Sequence, residues 1–386
     1  MKTKLIEIMR CPRCSGKLEL EIFIKEKDEI KEGMISCKEC GVEYPIYNYI
    51  PRMLYGNLLE IPNWFIQKYN LVIKNPEHKI SKMLLKKDSS DVFGEEWAIA
   101  NKWGYKTTKK NNFKDHKGLL VEDSFEYSLA MFKRISFLKN EDLKGKFALD
   151  AGAGVGRYSL MASEMGAEVV ALDIANSIDY ALKNLEGKGV HIVQGDLSCL
   201  PFKKEVFDIV FCLQVIMHTP SPRRSFRSLA SALKPDGRIS VTAYAKGNVF
   251  YELNNKILRM FTTRMPKKML WKFSTFLSWI GEVIILNKYL FAGVNAFARI
   301  KPNKTAMFDW YAPKVASHHT DKEMRKWFKD NAVRLLYTDD PRVNPKSFHA
   351  RIYPKFTKTR EGKVRNLFYS IIPRWGISIS GIKIKI

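Results

Sequence analysis

Phe147-Ala148-Leu149-Asp150-Ala151-Gly152-Ala153-Gly154-Val155-Gly156 is a short apolar run that ends in an acidic residue and passes into three alternating glycines. This reads as a buried strand, a tight loop and the start of a helix. Glycine suits such a loop, because a backbone that turns sharply and lets a ligand approach has no room for a Cβ. A dinucleotide site asks for G-x-G-x-x-G. Here Arg157 stands where the third glycine of that motif would fall, which weakens a dehydrogenase reading.

The decisive features follow at regular intervals. Val169-Val170-Ala171-Leu172-Asp173 is a second apolar strand ending in a carboxylate, placed where open α/β folds hold the ribose hydroxyls of a nucleoside. Val190–Val193 leads to Gly195-Asp196-Leu197, and Phe207–Leu213 leads to Gln214. All these strands end at one edge of a parallel sheet, the edge where such folds bind ligands. Arg238–Ala243 reads as a fifth strand. Thr320-Asp321-Lys322-Glu323 then has the form of a capping box, with Met324, Trp327 and Phe328 on one helical face behind it. Ala332–Tyr337 and Ser347–Tyr353 read as the last two strands, closing the core near Pro354.

LDAGAGVGRY, LDIA, GDLSCLPF, FDIVFCLQVIMHT and LKPDG, in this order, resemble the motifs of class I S-adenosylmethionine-dependent methyltransferases of the small-molecule type. The resemblance implies an α/β, Rossmann-like fold: a mostly parallel sheet with an antiparallel edge hairpin. It implies S-adenosyl-L-methionine as methyl donor, with Asp150, Gly152, Gly154 and Gly156 around the glycine loop and the methionine part, Asp173 on the ribose, Asp196 and Leu197 at the adenine, and Gln214 near the sulfonium. Asp236 in LKPDG departs from the pattern, which usually has a glycine there. Gln214-Val215-Ile216-Met217 is unlike the Asp/Asn-Pro-Pro-aromatic tetrad of enzymes that methylate base amino groups, so that chemistry is disfavoured.

Four of the six cysteines form two knuckles, Cys11-Pro12-Arg13-Cys14 and Cys37-Lys38-Glu39-Cys40. A two-residue gap turns both thiolates of a knuckle toward one ion, and two knuckles joined by a hairpin complete a closed tetrahedral zinc site with no open position for chemistry. Paired disulfides are the competing reading. Leu18–Lys25 alternates as a strand. CPRCSGKLEL…SCKECGVEYPIYNYIPRML resembles the small zinc-ribbon family that activates RNA and protein methyltransferases, and that is also found fused ahead of bacterial methyltransferases. Cys199 and Cys212 sit in apolar segments, as buried reduced thiols do.

The organisation expected is therefore a zinc ribbon at 1–57, a helical linker or cap at 58–130, a methyltransferase core at 131–354 with a helical lid insertion at 247–318, and a basic tail at 355–386. In the insertion, Phe250, Leu253, Ile257 and Phe261 share one helical face, and Met269, Phe273, Phe276 and Ile280 another. Arg259, Arg264, Lys267, Lys268 and Lys272 lie on the polar sides. Plain packing, a substrate lid and a membrane surface are the three readings of these helices. No signal-like or bilayer-spanning stretch interrupts the chain, which points to the cytoplasm, with peripheral membrane contact as an option. A formal net charge of +25 would attract RNA, anionic lipid or a phosphorylated substrate without choosing among them.

Methyl transfer from a sulfonium needs alignment and exclusion of water more than acid–base groups. An oxygen acceptor must lose a proton, and His218 and His319 are the candidate bases. A small or lipid- or sugar-linked acceptor, methylated at oxygen, is the leading expectation. An RNA methyltransferase (tRNA or rRNA) using ribbon and basic surface is the alternative.

Overall fold

A computed structural model describes residues 1–72, 81–99, 101–102, 104–105, 124–246, 249–282, 304–339 and 376–385. The expected strand at Ser347–Tyr353 and the side chains of Phe250 and Ile280 lie outside the described residues.

The N-terminal unit opens with α1 (Leu5–Ile8) and four antiparallel strands, β1 (Leu18–Glu26), β2 (Glu29–Cys37), β3 (Glu43–Tyr47) and β4 (Ile50–Met53). Helices α2 (Asn63–Tyr69), α3 (Ser81–Ile99), α4 (Phe125–Ser136) and α5 (Asn140–Leu143) lead into the core. There β5 (Phe147–Ala151), α6 (Arg157–Glu164), β6 (Glu168–Asp173), α7 (Ile178–Asn184), β7 (His191–Gly195), β8 (Phe207–Leu213), α8 (Pro222–Ala232) and β9 (Leu233–Ala245) alternate as the periodicity predicts. β5 and β6 are almost wholly buried, and their unbroken apolar runs are those of parallel strands covered on both faces.

The insertion supplies α9 (Val249–Thr262), α10 (Lys267–Glu282) and α11 (Lys304–Tyr311). A two-residue strand β10 (His318–His319) pairs with β9. Then come α12 (Asp321–Asp330), β11 (Val333–Thr338) and β12 (Ile377–Lys383). Thr320 caps α12 by accepting from the Glu323 amide at 3.1 Å, but the Glu323 carboxylate turns to His319 and so completes only half of the expected box.

The strands form one sheet in the order β1-β2-β3-β4-β7-β6-β5-β8-β9-β12-β11. β4 runs parallel to β7, with Arg52 opposite Gln194 and Met53 opposite Gly195, so the ribbon covers the strand that would otherwise be the edge of the core. Arg52 fastens the joint. It is buried to 1 % exposure, pairs with Asp179 at 2.6 Å and Gln194 at 3.2 Å, and lies 4.2 Å from the Tyr47 ring centre. Met1, Leu5, Met9 and Ile35 share one hydrophobic cluster with Leu149, Val170 and Val210, so ribbon and core have a common interior.

One expectation is corrected. The strand between β9 and β11 is Ile377–Lys383, from the segment expected to be a basic tail, so the core does not close near Pro354. Its two faces are both buried: Ile377 and Ile379 enter the apolar core, while Ser378 and Ser380 form a hydroxyl ladder with Thr242 (3.1 Å) and Ser240 (3.0 Å). Asp236, where the pattern has glycine, lies near the start of β9 in the left-handed conformation (φ 61°), which Asp tolerates better than most residues.

Candidate active site

At the carboxyl ends of β5, β6, β7 and β8 lies a cavity of about 310 Å³, lined by Gly152, Gly154, Asp173, Asp196, Leu197 and Gln214 among others. Four of these six, Gly152, Asp173, Asp196 and Gln214, sit one step past a strand or at its last residue. The amides of Gly152 and Ala153 both donate to the Leu172 carbonyl, at 2.7 and 3.0 Å, and tie the glycine loop to the end of β6. Gly152 has φ 94°, and a Cβ there would meet Val215 at 2.4 Å. Gly154 is equally confined, 3.0 Å from Trp97.

Asp173 accepts the Gly154 amide on one oxygen and the Ala175 amide on the other, both at 2.8 Å. The two bonds fix the carboxylate and leave each oxygen a further lone pair for a ligand hydroxyl. Burial raises its pKa while those amides oppose the shift. Asp196 accepts the Ser198 amide at 2.8 Å and is ion-paired with Lys86. Gln214 is held at φ 64° and accepts from the Tyr158 hydroxyl at 3.2 Å. A non-glycine residue in that region carries local strain at the mouth of a site.

The cover of the cavity is α3, where the reading had placed only a linker or cap. Lys86, Ser89, Phe93, Glu96 and Trp97 all line it, at the three- and four-residue spacing of one helical face. Among the described residues of the 247–318 insertion, Asp309 is the one that lines the cavity. The helices of the insertion pack beside the site: Arg259 bonds the carbonyls of Trp310 and Pro313, and Lys267 pairs with Glu95 at 2.9 Å.

Beyond Gln214 the cavity ends in ionisable groups. His218 is 5 % exposed; its Nδ1 donates to the Val315 carbonyl at 3.0 Å, which fixes the tautomer and leaves Nε2 as an acceptor. Among the described residues Nε2 has no hydrogen-bond partner, and it lies 3.9 Å from Asp309 Oδ1. Burial lowers the His218 pKa to about 4 and raises that of Asp309 to about 6. Tyr244 donates to the other Asp309 oxygen at 3.3 Å. Glu96 is 3 % exposed, its Oε2 is also without a partner among the described residues, and burial pushes its pKa well above the ordinary carboxylate range.

Three sequence-predicted residues are not brought to the cavity. Asp150 lies beneath the loop, accepting from Ser159 Oγ at 2.7 Å, and burial raises its pKa to about 7. Gly156 caps α6 at φ 86°, where a Cβ would strike Leu185, and shapes the turn alone. His319 has both ring nitrogens engaged, by Ser317 Oγ at 2.8 Å and Glu323 at 3.0 Å, and its ring packs on Trp327. It has no nitrogen left for an acceptor.

In the ribbon, Cys11, Cys14, Cys37 and Cys40 gather their sulfurs within 4.8 Å of one another. The Cys11–Cys40 and Cys14–Cys37 separations, 3.6 and 3.4 Å, are close to the edge of about 3.8 Å that four thiolates about 2.3 Å from zinc define. The sulfur set fits a structural zinc ion, and no disulfide is formed.

The Methyltransferase domain family matches residues 149–241, and the Trm112p-like protein family matches residues 2–48. The chain joins a Trm112p-like zinc ribbon to a class I methyltransferase domain. The ubiquinone biosynthesis O-methyltransferase of Coxiella burnetii (strain RSA 493 / Nine Mile phase I) is 32% identical over 110 residues, covering 28% of this chain and 47% of that protein. The chain thus spans about half the length of such relatives. The enzyme of the same name from Actinobacillus pleuropneumoniae serotype 5b is 26% identical over 215 residues, 52% of this chain and 80% of that one. Among solved structures, the methyltransferase domain is similar to magnesium protoporphyrin IX methyltransferase from Synechocystis PCC 6803 with bound SAH (16% identity, TM-score 0.43, 78% of this chain and 99% of that one).

Proposed function

We propose that the chain is an S-adenosylmethionine-dependent methyltransferase that methylates an oxygen of a small or lipid- or sugar-linked acceptor. One observation carries the reading: a cavity joins the glycine loop and Asp173 to the Nε2 of His218, which has no hydrogen-bond partner among the described residues. When bound, S-adenosylmethionine supplies the electrophilic methyl group. Gly152 and Gly154 allow its close approach, Asp173 holds the ribose, Asp196 and Leu197 meet the adenine, and Gln214 borders the sulfonium.

His218 Nε2 takes the proton of the acceptor hydroxyl, and the Val315 carbonyl keeps its ring in the required tautomer. Asp309, 3.9 Å away, faces the imidazolium that results. α3 covers the cavity and excludes water from the displacement.

Calorimetry tests the donor assignment: S-adenosylmethionine binds the native chain, and Asp173→Ala weakens binding by about 1–3 kcal/mol, the loss of charge-assisted hydrogen bonds. Equal affinity in the variant removes Asp173 from the site. The RNA alternative is favoured by the net charge of +25 and by the ribbon's family, and it requires binding to structured RNA that weakens steeply with salt.

A further inference from the structure

We propose that Glu96 and Asp309 form an acceptor-recognition site that holds a hydroxyl neighbouring the one methylated, so that the acceptor is an uncharged molecule with adjacent hydroxyls. The proposal rests on the methyltransferase reading of the same cavity and specifies its substrate class.

Glu96 has no structural reason to be polar. Its Oε2 is buried on the cavity face of α3 without a partner among the described residues, an arrangement that costs stability and that a methionine would relieve. Asp309 reaches the same wall from the insertion, one oxygen engaged by Tyr244 and the other turned toward His218. The wall therefore offers polar atoms that wait for partners, and a ligand with a single hydroxyl cannot serve both His218 Nε2 and the carboxyl pair.

Charge decides between an alcohol and an amine. Arg259 stands close enough to act electrostatically on Asp309, Tyr244 and His218, and so balances the Asp309 carboxylate. Burial and, next, the charge of Asp309 push the Glu96 pKa up and so favour its neutral form, in which a carboxyl both donates and accepts. A wall of this kind has no net charge to attract an ammonium, a carboxylate or a phosphate, each of which would lose its hydration on entering a dry site. Phe93, Trp97 and Tyr127 add apolar lining suited to a ring. In the transfer, the acceptor oxygen bonds to the methyl carbon as the carbon–sulfur bond breaks, and its proton passes to His218 Nε2. The products are a methyl ether, S-adenosylhomocysteine and an imidazolium facing Asp309; the neighbouring hydroxyl stays bonded to the carboxyl pair.

The full chain is titrated with S-adenosylhomocysteine by calorimetry and, once saturated, with four six-carbon rings by saturation-transfer NMR: cyclohexanol, cis-1,2-cyclohexanediol, cyclohexylamine and cyclohexanecarboxylate. The diol is expected to bind about tenfold more tightly than the mono-alcohol, the gain from one or two hydrogen bonds in a dry site. Glu96→Met is expected to bring the two within about twofold while preserving or raising Tm and leaving S-adenosylhomocysteine binding intact, and Glu96→Gln to keep about threefold preference. A merely structural glutamate would instead lose Tm and leave the preference unchanged. Equal binding of diol and mono-alcohol, no ring bound, tighter binding of amine or carboxylate, or a preference that survives Glu96→Met overturns the proposal. Failure of S-adenosylhomocysteine to bind overturns the methyltransferase reading itself.

Discussion

At His218 the pocket sets a titration order that kinetics can read. The imidazole must be neutral to take a proton, and its pKa of about 4 keeps it so through the physiological range. Asp309 must be ionised to face the imidazolium, and it loses its proton only near 6. Activity therefore falls as pH drops through about 6, with Glu96, Tyr244, Arg259 and His318 as the other ionisable groups that act on these two. Asp309→Asn is expected to lower the plateau and move the acid limb toward about 4, and His218→Ala to cost about 10²–10⁴-fold in kcat. A limb unmoved in Asp309→Asn would take that residue out of the chemistry. The same residues show what the sequence makes legible. Asp173, Asp196 and Gln214 end apolar strands, and position along a strand places them. Lys86, Phe93, Glu96 and Trp97 share a helical face that looks onto a cavity instead of a core, so the mixture of charge, ring and hydroxyl has no apolar stripe to reveal it. Asp309 ends no strand and lies on no apolar stripe; His218 is oriented by the Val315 carbonyl 97 residues away, whereas both nitrogens of His319 are taken by its near neighbours Ser317 and Glu323.

The joint between ribbon and core is an element-scale device. β4 adds a sixth parallel strand to the five of the core, on the β7 side, and Arg52 crosses from it to Asp179 on α7. Arg52 is buried while Asp179 is 37% exposed and can be solvated when its partner goes, so Arg52→Ala is expected to cost about 1–3 kcal/mol in chemical denaturation, from lost packing and hydrogen bonds, with activity per folded molecule retained. A loss below about 1 kcal/mol, the range of an exposed pair, would show that the joint is solvated. Ribbon and core share one hydrophobic cluster, so replacing Cys11 and Cys14 by serine should lower the stability of the core as well as release the metal. The four cysteines and their spacing were readable from the chain, as was the ribbon; its continuation into the core sheet was not, because Ile50–Met53 is too short to advertise a partner more than a hundred residues away.

For the whole molecule the question is what its charge of +25 meets. Among the described residues no helix is long and apolar enough to cross a membrane. Leu253, Ile257, Met260, Phe261, Met269 and Phe276 are nonetheless exposed on α9 and α10, close in sequence to exposed Lys256, Arg264, Lys268 and Lys272. If this face serves a lipid-linked acceptor, the chain should sediment with vesicles containing phosphatidylglycerol, and Phe261→Ser should weaken that binding more than Lys272→Gln. RNA would reverse the ranking, each phosphate contact contributing about 0.7–0.9 to the slope of log affinity against log salt. A different consequence comes from β12. It lies inside the sheet between β9 and β11, yet it follows both in the chain, and Thr242 meets Ser378 across a separation of 136 residues. The strands from β1 to β9 can find their neighbours while this slot stays open, whereas β11 pairs with β12 and must wait for it. The last step of folding is then an insertion, slow because its loop must close first, and until it happens β9 presents a bare edge to any other strand nearby. Quality control of this protein, in a cell or in a refolding tube, would act on that interval.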